Sequence, residues 1–260
     1  MSAPRVVKST YFSNWGDRIG YPLAHLIAKP LSRISFVTPN GVTLTAFGLF
    51  AFGCISLVLQ YPHHLTIGGL SIFAGYVGDD VDGQLARLTK KYSVVGDYLD
   101  KVLDICKIFL VTFFSGLAVY NTTQNVLYVI LGFIACFAFL YRYYIKLESM
   151  FSALSRDANF LDKSGRVRAR MEAEMDRQYA RTAKSFGESI ELFLLKNRTF
   201  FWFDEAEFAI ITAVGAITNR LDVSVWILAT AQIAIVLWRL YERGYQLTTG
   251  SEKLLEPMRK

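Results

Sequence analysis

The chain has 260 residues, of which 53% are hydrophobic and 15% aromatic, and its mean hydropathy is +0.30. A soluble domain of this size needs fewer apolar residues, so the composition favours a membrane protein over a soluble one. The net charge of +6 does not indicate nucleic-acid binding, because the basic residues lie between and beside long apolar runs, where lipid headgroups or phosphorylated substrates would meet them.

The N-terminal segment, residues 1–38, is predicted to form an interfacial arm. Apolar residues such as Trp15 and Leu23 fall on one side of a helix, and basic residues such as Arg18 and Lys29 oppose them. A helix that separates apolar from basic residues in this way lies in the membrane surface rather than crossing the bilayer. The pattern therefore predicts an N-terminal amphipathic interfacial helix.

Six segments after this arm are long and apolar enough to cross a bilayer, since about 20 helical residues span the hydrocarbon. The predicted spans lie near 41–61, 65–87, 97–120, 124–146, 205–220 and 223–243. The chain is therefore predicted to be an all-α, polytopic membrane protein with six transmembrane helices.

The distribution of basic residues predicts the orientation of these spans. The short turns after the first, third and fifth spans contain one basic residue, Arg220. The other side carries the arm, Arg87, Lys90, Lys91 and the C-terminal tail. By the positive-inside rule, that side is cytoplasmic and holds both termini. A bacterial inner membrane and an endoplasmic-reticulum-type membrane fit equally well.

A long polar segment, residues 147–204, separates the fourth and fifth predicted spans. Between residues 164 and 186, apolar positions such as Val167, Met171 and Met175 recur every four residues among many charges. This spacing predicts a charged helix with one narrow apolar stripe. We interpret 147–204 as a cytoplasmic helical insertion in a single membrane domain that spans residues 1–260.

Carboxylates are unusually dense where the second predicted span ends and the third begins. At 3.6 residues per turn, Asp79 and Asp82 share one face of a helix, and Asp100 and Asp104 share one face of the next. A short turn between these helices would bring the two faces together. Each acid at membrane depth costs at least about 2.5 kcal/mol, and bound cations would offset this cost. Oxygen ligands without nearby Cys or His favour Mg²⁺ over Zn²⁺.

The same stretch contains groups suited to phosphate. Gly83 and Gly96 have no side chain, so a nucleotide could approach the helix backbone closely. Arg87 could donate a planar fork of N–H groups to a diphosphate. A carboxylate without a full metal role could accept the proton of an attacking hydroxyl, and the depth of Asp104 in the third span favours it as this base.

This stretch resembles the CDP-alcohol phosphotransferase family, whose signature is D-x2-D-G-x2-A-R-x8-G-x3-D-x3-D. Every fixed position is filled, by Asp79, Asp82, Gly83, Ala86, Arg87, Gly96, Asp100 and Asp104. The resemblance implies that Asp79, Asp82 and Asp100 bind two divalent ions, Mg²⁺ or Mn²⁺. It makes Asp104 the catalytic base and a further metal contact. The residues that it implies for CDP binding are Asp82, Gly83, Ala86, Arg87 and Gly96.

The resemblance also implies partners: a CDP-alcohol donor, membrane lipid and a second copy of the chain in a homodimer. It favours transfer of a phosphatidyl group from CDP-diacylglycerol to a small polar alcohol, with release of CMP, in phospholipid biosynthesis. The alternative within the family uses CDP-choline or CDP-ethanolamine and a diacylglycerol acceptor. The acceptor-binding candidates are Lys101, Arg142, Lys146 and Arg239.

Structural roles compete with these functional ones. Arg142, Lys146 and Arg239 also fit snorkelling residues at the ends of spans. The four acids could form an ion network with Arg87, Lys101 and Lys107 instead of a metal site. Outside the family, the chain could be an inactive membrane scaffold or a divalent-cation carrier, because acids within a membrane also mark ion paths.

Overall fold

The computed structural model of the protein describes residues 15–157, 159–160, 187–190 and 203–249. All regular structure in these ranges is helical, which confirms the predicted all-α class for the described residues. The predicted charged helix at 164–186 lies outside them, as do much of the 147–204 insertion and the first residues of the arm.

The helices follow one another with short turns in the first half of the chain. They are α1 (Trp15–Leu31), α2 (Pro39–Ser56), α3 (His64–Thr89), α4 (Val94–Thr123), α5 (Leu127–Arg156), α6 (Glu205–Ile217) and α7 (Leu221–Thr249). Side-chain caps determine where two of these helices begin. The Thr38 hydroxyl accepts the Gly41 amide at 3.2 Å and caps α2. Ser93 caps α4 in the same way, accepting the Gly96 amide at 3.3 Å.

Four of the described helices are long and apolar enough to cross a membrane: α2, α4, α5 and α7, the last over Leu221–Tyr245. They support the prediction of a membrane protein. They correspond to four of the six predicted spans, and the predicted spans at 65–87 and 205–220 are not among them. Helix α3 has 26 residues, but five glycines and three aspartates dilute its apolar content. Helix α6 has 13 residues, about 20 Å at 1.5 Å each, which is short for a hydrocarbon layer of about 30 Å.

Helix α1 packs on the protein through its smallest residues. Gly16, Gly20, Ala24 and Ala28 recur every four residues and are buried, and α1 contacts α3 and α6. Most of the larger apolar residues of α1 stay exposed, with Leu26 at 71% of its surface. This arrangement leaves the apolar side available to lipid, and the interfacial position of α1 remains a prediction.

The described residues fall into two compact units. The first lies within 1–136 and 199–231, and the second within 137–198 and 232–260. In the first unit α2 packs along α3, α3 also contacts α1 and α6, and α4 contacts α2 and α6. In the second unit Ala138 and Ile145 from α5 pack with Val236 from α7. The first unit therefore contains the complete acidic motif.

A buried carboxylate joins the ends of α1 and α6. Asp204 is the N-cap of α6, and the Glu207 side chain accepts the Asp204 amide at 2.8 Å. The other oxygen of Glu207 accepts the Gly16 amide of α1 at 2.9 Å. Glu207 is 0% exposed. It therefore holds the start of α1 to the start of α6, and its position in the first turn of α6 places it at the positive end of the helix dipole.

Candidate active site

Three of the four motif acids meet where α3 and α4 run side by side. Asp79 and Asp82 project from α3 and Asp100 from α4, and one carboxylate oxygen from each lies within 4.8 Å of the other two. A four-residue turn, 90–93, joins the two helices, and Lys90 begins it in the left-handed conformation at φ 56°. The structure thus brings together the three acids that the motif assigns to metal.

The chemistry of this group suits a hard divalent cation. Asp82 is 8% exposed, while Asp79 and Asp100 are half-buried, so three carboxylates share a poorly hydrated space. Carboxylate oxygens are the ligands that Mg²⁺ and Mn²⁺ prefer. A cation would offset the mutual repulsion of these acids. The residues present therefore fit the metal ion that the family resemblance implies.

Asp82 is oriented by a residue of α2. The Thr43 hydroxyl donates to Asp82 Oδ2 at 2.5 Å, and Thr43 is itself 4% exposed. This hydrogen bond fixes one oxygen of the carboxylate from outside α3 and α4. Outer hydrogen bonds of this kind set the orientation and affinity of metal ligands.

Replacing Thr43 with Val should weaken metal binding without removing a ligand. Thr43→Val keeps the side-chain shape but removes the donor to Asp82, so we expect the Mg²⁺ concentration for half-maximal activity to rise about 10-fold. Thr45→Val is the matched control, because the exposed Thr45 hydroxyl donates to the Gly41 carbonyl of its own helix, at 2.8 Å. An equal Mg²⁺ requirement in the two variants would contradict the role of Thr43.

The fourth acid, Asp104, makes a different contact. Its Oδ1 lies 2.8 Å from Nζ of Lys107, one turn further along α4. The same ammonium lies 2.5 Å from Oδ1 of Asp79. The side chain of Lys107 is 5% exposed and that of Asp104 is 18% exposed. Lys107 therefore links Asp104, the predicted base, to the three-acid group. It forms the ion pairs that the alternative of a structural ion network requires.

Four of the five residues predicted to bind CDP lie along α3 towards its C-terminal end, and the fifth, Gly96, lies at the start of α4. A Cβ built on Gly83 would have only the Arg87 guanidinium within 4 Å, at 3.6 Å from its nearest nitrogen, so the space beside this glycine is open. The Arg87 guanidinium carbon also lies 5.9 Å from the ring centroid of Tyr21, on α1. Ala86 and Arg87 are half-buried. Gly83 and Arg87 thus form an open face next to the acids.

Gly96 has a structural reason to lack a side chain. A Cβ at this position would lie 2.6 Å from Oδ1 of Asn40, at the start of α2. A larger residue at this position would therefore require the Asn40 side chain to move. The predicted contact of Gly96 with CDP remains a prediction beside this packing role.

The acceptor-binding candidates occupy different environments. Lys101 forms an exposed ion pair with Asp97 at 2.6 Å, with half of each side chain accessible. The other three candidates lie in the second unit. There Arg142 is 6% exposed with its guanidinium carbon 4.8 Å from the Phe139 ring centroid, and Arg239 pairs with Glu242 at 2.5 Å. The ammonium of Lys146 lies 5.5 Å from the ring centroid of Tyr143.

Sequence reasoning gave three neighbours of the site no functional role. Thr43 lies at the start of the first predicted span, and its contact with Asp82 crosses 39 residues. Lys107 stands in an apolar run of α4, where the cost of a buried ammonium is a signal that it has an acidic partner. Glu205, at the start of α6, lines a small pocket beside the site. The other residues of this pocket are Phe50, Tyr76, Asp79, Lys107, Ile108 and Ala209.

Comparison with known proteins agrees with this geometry. The CDP-alcohol phosphatidyltransferase family model matches residues 36–162, which include every residue of the acidic motif. This confirms the resemblance recognised from the motif: residues 36–162, a little under half of the chain, are similar to the CDP-alcohol phosphatidyltransferase domain. Members of the family are transferases of phosphate-containing groups.

One curated relative is also similar to this region. It is the bifunctional IPC transferase and DIPP synthase of Thermococcus kodakarensis, 29% identical over 107 residues. The match covers 39% of this chain and 23% of the relative. The chain therefore matches less than a quarter of that protein's length, and the similarity supports a transferase domain rather than the whole activity of the relative.

Proposed function

We propose that this chain transfers a phosphatidyl group from CDP-diacylglycerol to an alcohol acceptor and releases CMP, as a step of phospholipid biosynthesis. The observation that carries this proposal is the group of three carboxylates, within 4.8 Å of one another, in a segment that matches the family model. Asp79, Asp82 and Asp100 would hold Mg²⁺ or Mn²⁺. A divalent ion bound there supplies positive charge for the phosphate oxygens as negative charge develops on them.

The side chains beside the acids would bind the donor. Arg87 donates N–H groups to the diphosphate, and the open space next to Gly83 admits the nucleotide to the helix backbone. Ala86 and Gly96 keep neighbouring positions free of large side chains. Because Arg87 stands a turn beyond Gly83 on α3, both contacts would orient the diphosphate relative to the carboxylates.

Asp104 would accept the proton of the acceptor alcohol. The hydroxyl oxygen forms a new bond to the β-phosphorus, which carries the alcohol group of the donor. The bond from this phosphorus to the bridging oxygen breaks, and CMP leaves with that oxygen. The proton of the hydroxyl passes to the Asp104 carboxylate. Lys107 holds Asp104 Oδ1 at 2.8 Å and limits its rotation.

We further propose that the site and both chain termini face the cytoplasm. The basic residues Arg87, Lys90 and Lys91 at the end of α3 support this orientation through the positive-inside rule. A site at this level would let a water-soluble acceptor meet a donor whose acyl chains remain in the membrane. The homodimer implied by the family resemblance stays a prediction.

A donor panel tests the proposed function. Purified protein in detergent–lipid micelles should release CMP from CDP-diacylglycerol when Mg²⁺ and a polar acceptor such as glycerol phosphate, inositol phosphate or serine are present. Chelation of the metal by EDTA should reduce the rate to background, and restored Mg²⁺ should recover it. CMP release from CDP-choline or CDP-ethanolamine with diacylglycerol would instead assign the alternative donor. Mg²⁺ flux in vesicles without CMP release would identify a carrier.

A further inference from the structure

Arg87 stands on α3 one turn beyond Gly83, and it lies beside α1. Its guanidinium carbon is over the ring of Tyr21, 5.9 Å from the centroid, which is within the range of a cation–π contact. Within the part of the chain that the structure describes, the guanidinium forms no ion pair and no hydrogen bond. The tyrosine ring is therefore the contact that restrains Arg87, and the N–H groups remain available to a ligand.

A buried amide of α3 fixes the backbone of Tyr21. The side chain of Gln84, which is 3% exposed, donates from Nε2 to the Tyr21 carbonyl at 3.0 Å. Its Oε1 lies 3.1 Å from Nδ1 of His25, one turn further along α1. Because an amide oxygen only accepts hydrogen bonds, the His25 ring donates this one. A single amide thus ties this turn of α1 to α3.

Close packing of α1 on α3 begins one turn before Tyr21. The Tyr76 hydroxyl donates to the Gly16 carbonyl at 3.0 Å. A Cβ on Gly20 would overlap the same hydroxyl, so only glycine lets the two helices approach this closely. Gly20 directly precedes Tyr21. Backbone contacts on both sides of Tyr21 therefore determine where its ring lies relative to Arg87.

We propose that Tyr21 is a positioning residue for the nucleotide: its ring holds the Arg87 guanidinium in the orientation that meets the diphosphate of the donor. The inference rests on the proposed function only in taking Arg87 as a contact of the diphosphate. It adds to the site a residue of α1, which lies outside the acidic motif. It applies to any donor that carries CDP.

The expected effect is on donor affinity rather than on the chemical step. A long side chain loses rotamer freedom when it binds a ligand, and this loss weakens binding. Contact with the Tyr21 ring restricts Arg87 before the donor arrives, so less freedom is lost on binding. A ring also leaves the N–H groups free, whereas an acidic partner would compete with the phosphates for them.

Binding of CDP to purified protein at saturating Mg²⁺, measured by calorimetry, tests the proposal. Tyr21→Leu removes the ring, so the dissociation constant of CDP and the KM for CDP-diacylglycerol should rise about 2- to 5-fold, while kcat stays close to that of the wild type. Tyr21→Phe keeps the ring and should bind CDP like the wild type. Tyr120→Leu makes the same change at the far end of α4 and should also leave CDP binding unaltered.

A second pair of variants shows whether Tyr21 acts through Arg87. In the Arg87→Met background, Tyr21→Leu should have no further effect on the dissociation constant of CDP, because the contact that it removes is already absent. Gln84→Leu breaks both hydrogen bonds that anchor α1 at this level, so it should weaken CDP binding in the same direction. Gln84→Leu decides the question if Tyr21→Leu does not fold.

Three results would overturn the proposal. The first is wild-type CDP affinity in Tyr21→Leu that retains the wild-type circular dichroism spectrum, and the second is the same finding in Gln84→Leu. The third is an equal loss of affinity from Tyr21→Leu with and without Arg87. Failure of the proposed function is distinct: CMP release from CDP-choline or CDP-ethanolamine instead of CDP-diacylglycerol refutes the proposed donor and leaves this inference standing, because those donors carry the same CDP.

Discussion

Asp100→Asn and Asp104→Asn should both abolish most CMP release, for different reasons. Asp100→Asn removes a charged ligand from the three-acid group, so the metal affinity should fall at least about 100-fold and the activity with it. Asp104→Asn removes the proton acceptor, and the rate should fall by a factor of about 10² to 10⁴ at saturating Mg²⁺. Because Asp104 lies outside the three-acid group, Asp104→Asn should keep a Mn²⁺ affinity close to that of the wild type. Calorimetric Mn²⁺ titration and a CMP-release assay on the same preparations separate the two effects.

Asp97→Asn provides the matched control on the same helix. Asp97 precedes Asp100 by three residues, and its side chain is 51% exposed in an ion pair with Lys101. Exposed pairs of this kind contribute little to stability, so the variant should fold and bind Mn²⁺ like the wild type. If Asp104→Asn retained near-normal turnover, Asp104 would not be the base. If Asp100→Asn retained normal Mn²⁺ affinity, Asp100 would not be a ligand.

The acidic site was largely predictable because its geometry follows from local periodicity. Asp79 and Asp82 are three residues apart on α3, and a four-residue turn returns the chain along α4. Spacing therefore places Asp79 and Asp82 on one face of α3, and the short turn keeps Asp100, in the second turn of α4, near them. Their proximity depends on little else in the fold.

Contacts between distant segments were not predictable in the same way. The pairing of Lys107 with Asp79 depends on how α4 is rotated against α3, which no spacing within α4 determines. The Thr43 contact with Asp82 likewise depends on how closely α2 packs on α3. Sequence reasoning could show that a buried lysine needs an acid, but could not show which acid it meets.

Small residues explain a second group of differences between the predicted helices and the structure. The predicted apolar side of α1 was defined by large residues, most of which are exposed, whereas the small residues Gly16, Gly20, Ala24 and Ala28 are buried against the protein. Close helix packing in membranes depends on shape, and small side chains give only a weak hydrophobic signal. The same property lowers the apolar content of α3, which was predicted as a span and is not among the four helices apolar enough to cross a membrane.

Gly75→Val should destabilise the protein by separating α2 from α3. A Cβ at Gly75 would lie 2.7 Å from the backbone nitrogen of Phe50 and 2.8 Å from the carbonyl oxygen of Ala46. Neither atom can rotate away as a side chain could, so the helices must move apart. Overpacking of this kind costs about 1–3 kcal/mol, and the thermal unfolding midpoint in detergent should fall by several degrees.

Gly75→Val should also weaken the metal site. Gly75 precedes Asp79 by one turn, and its neighbours lie on α2, the helix that carries Thr43. A shift between α2 and α3 lengthens the Thr43–Asp82 hydrogen bond, so folded Gly75→Val should need more Mg²⁺ for half-maximal CMP release than the wild type. Gly48→Val is the control: it adds the same side chain to α2 at an exposed glycine whose Cβ position has no atom within 4 Å. If the two variants unfolded at the same temperature, the close approach of α2 and α3 at Gly75 would not stabilise the site.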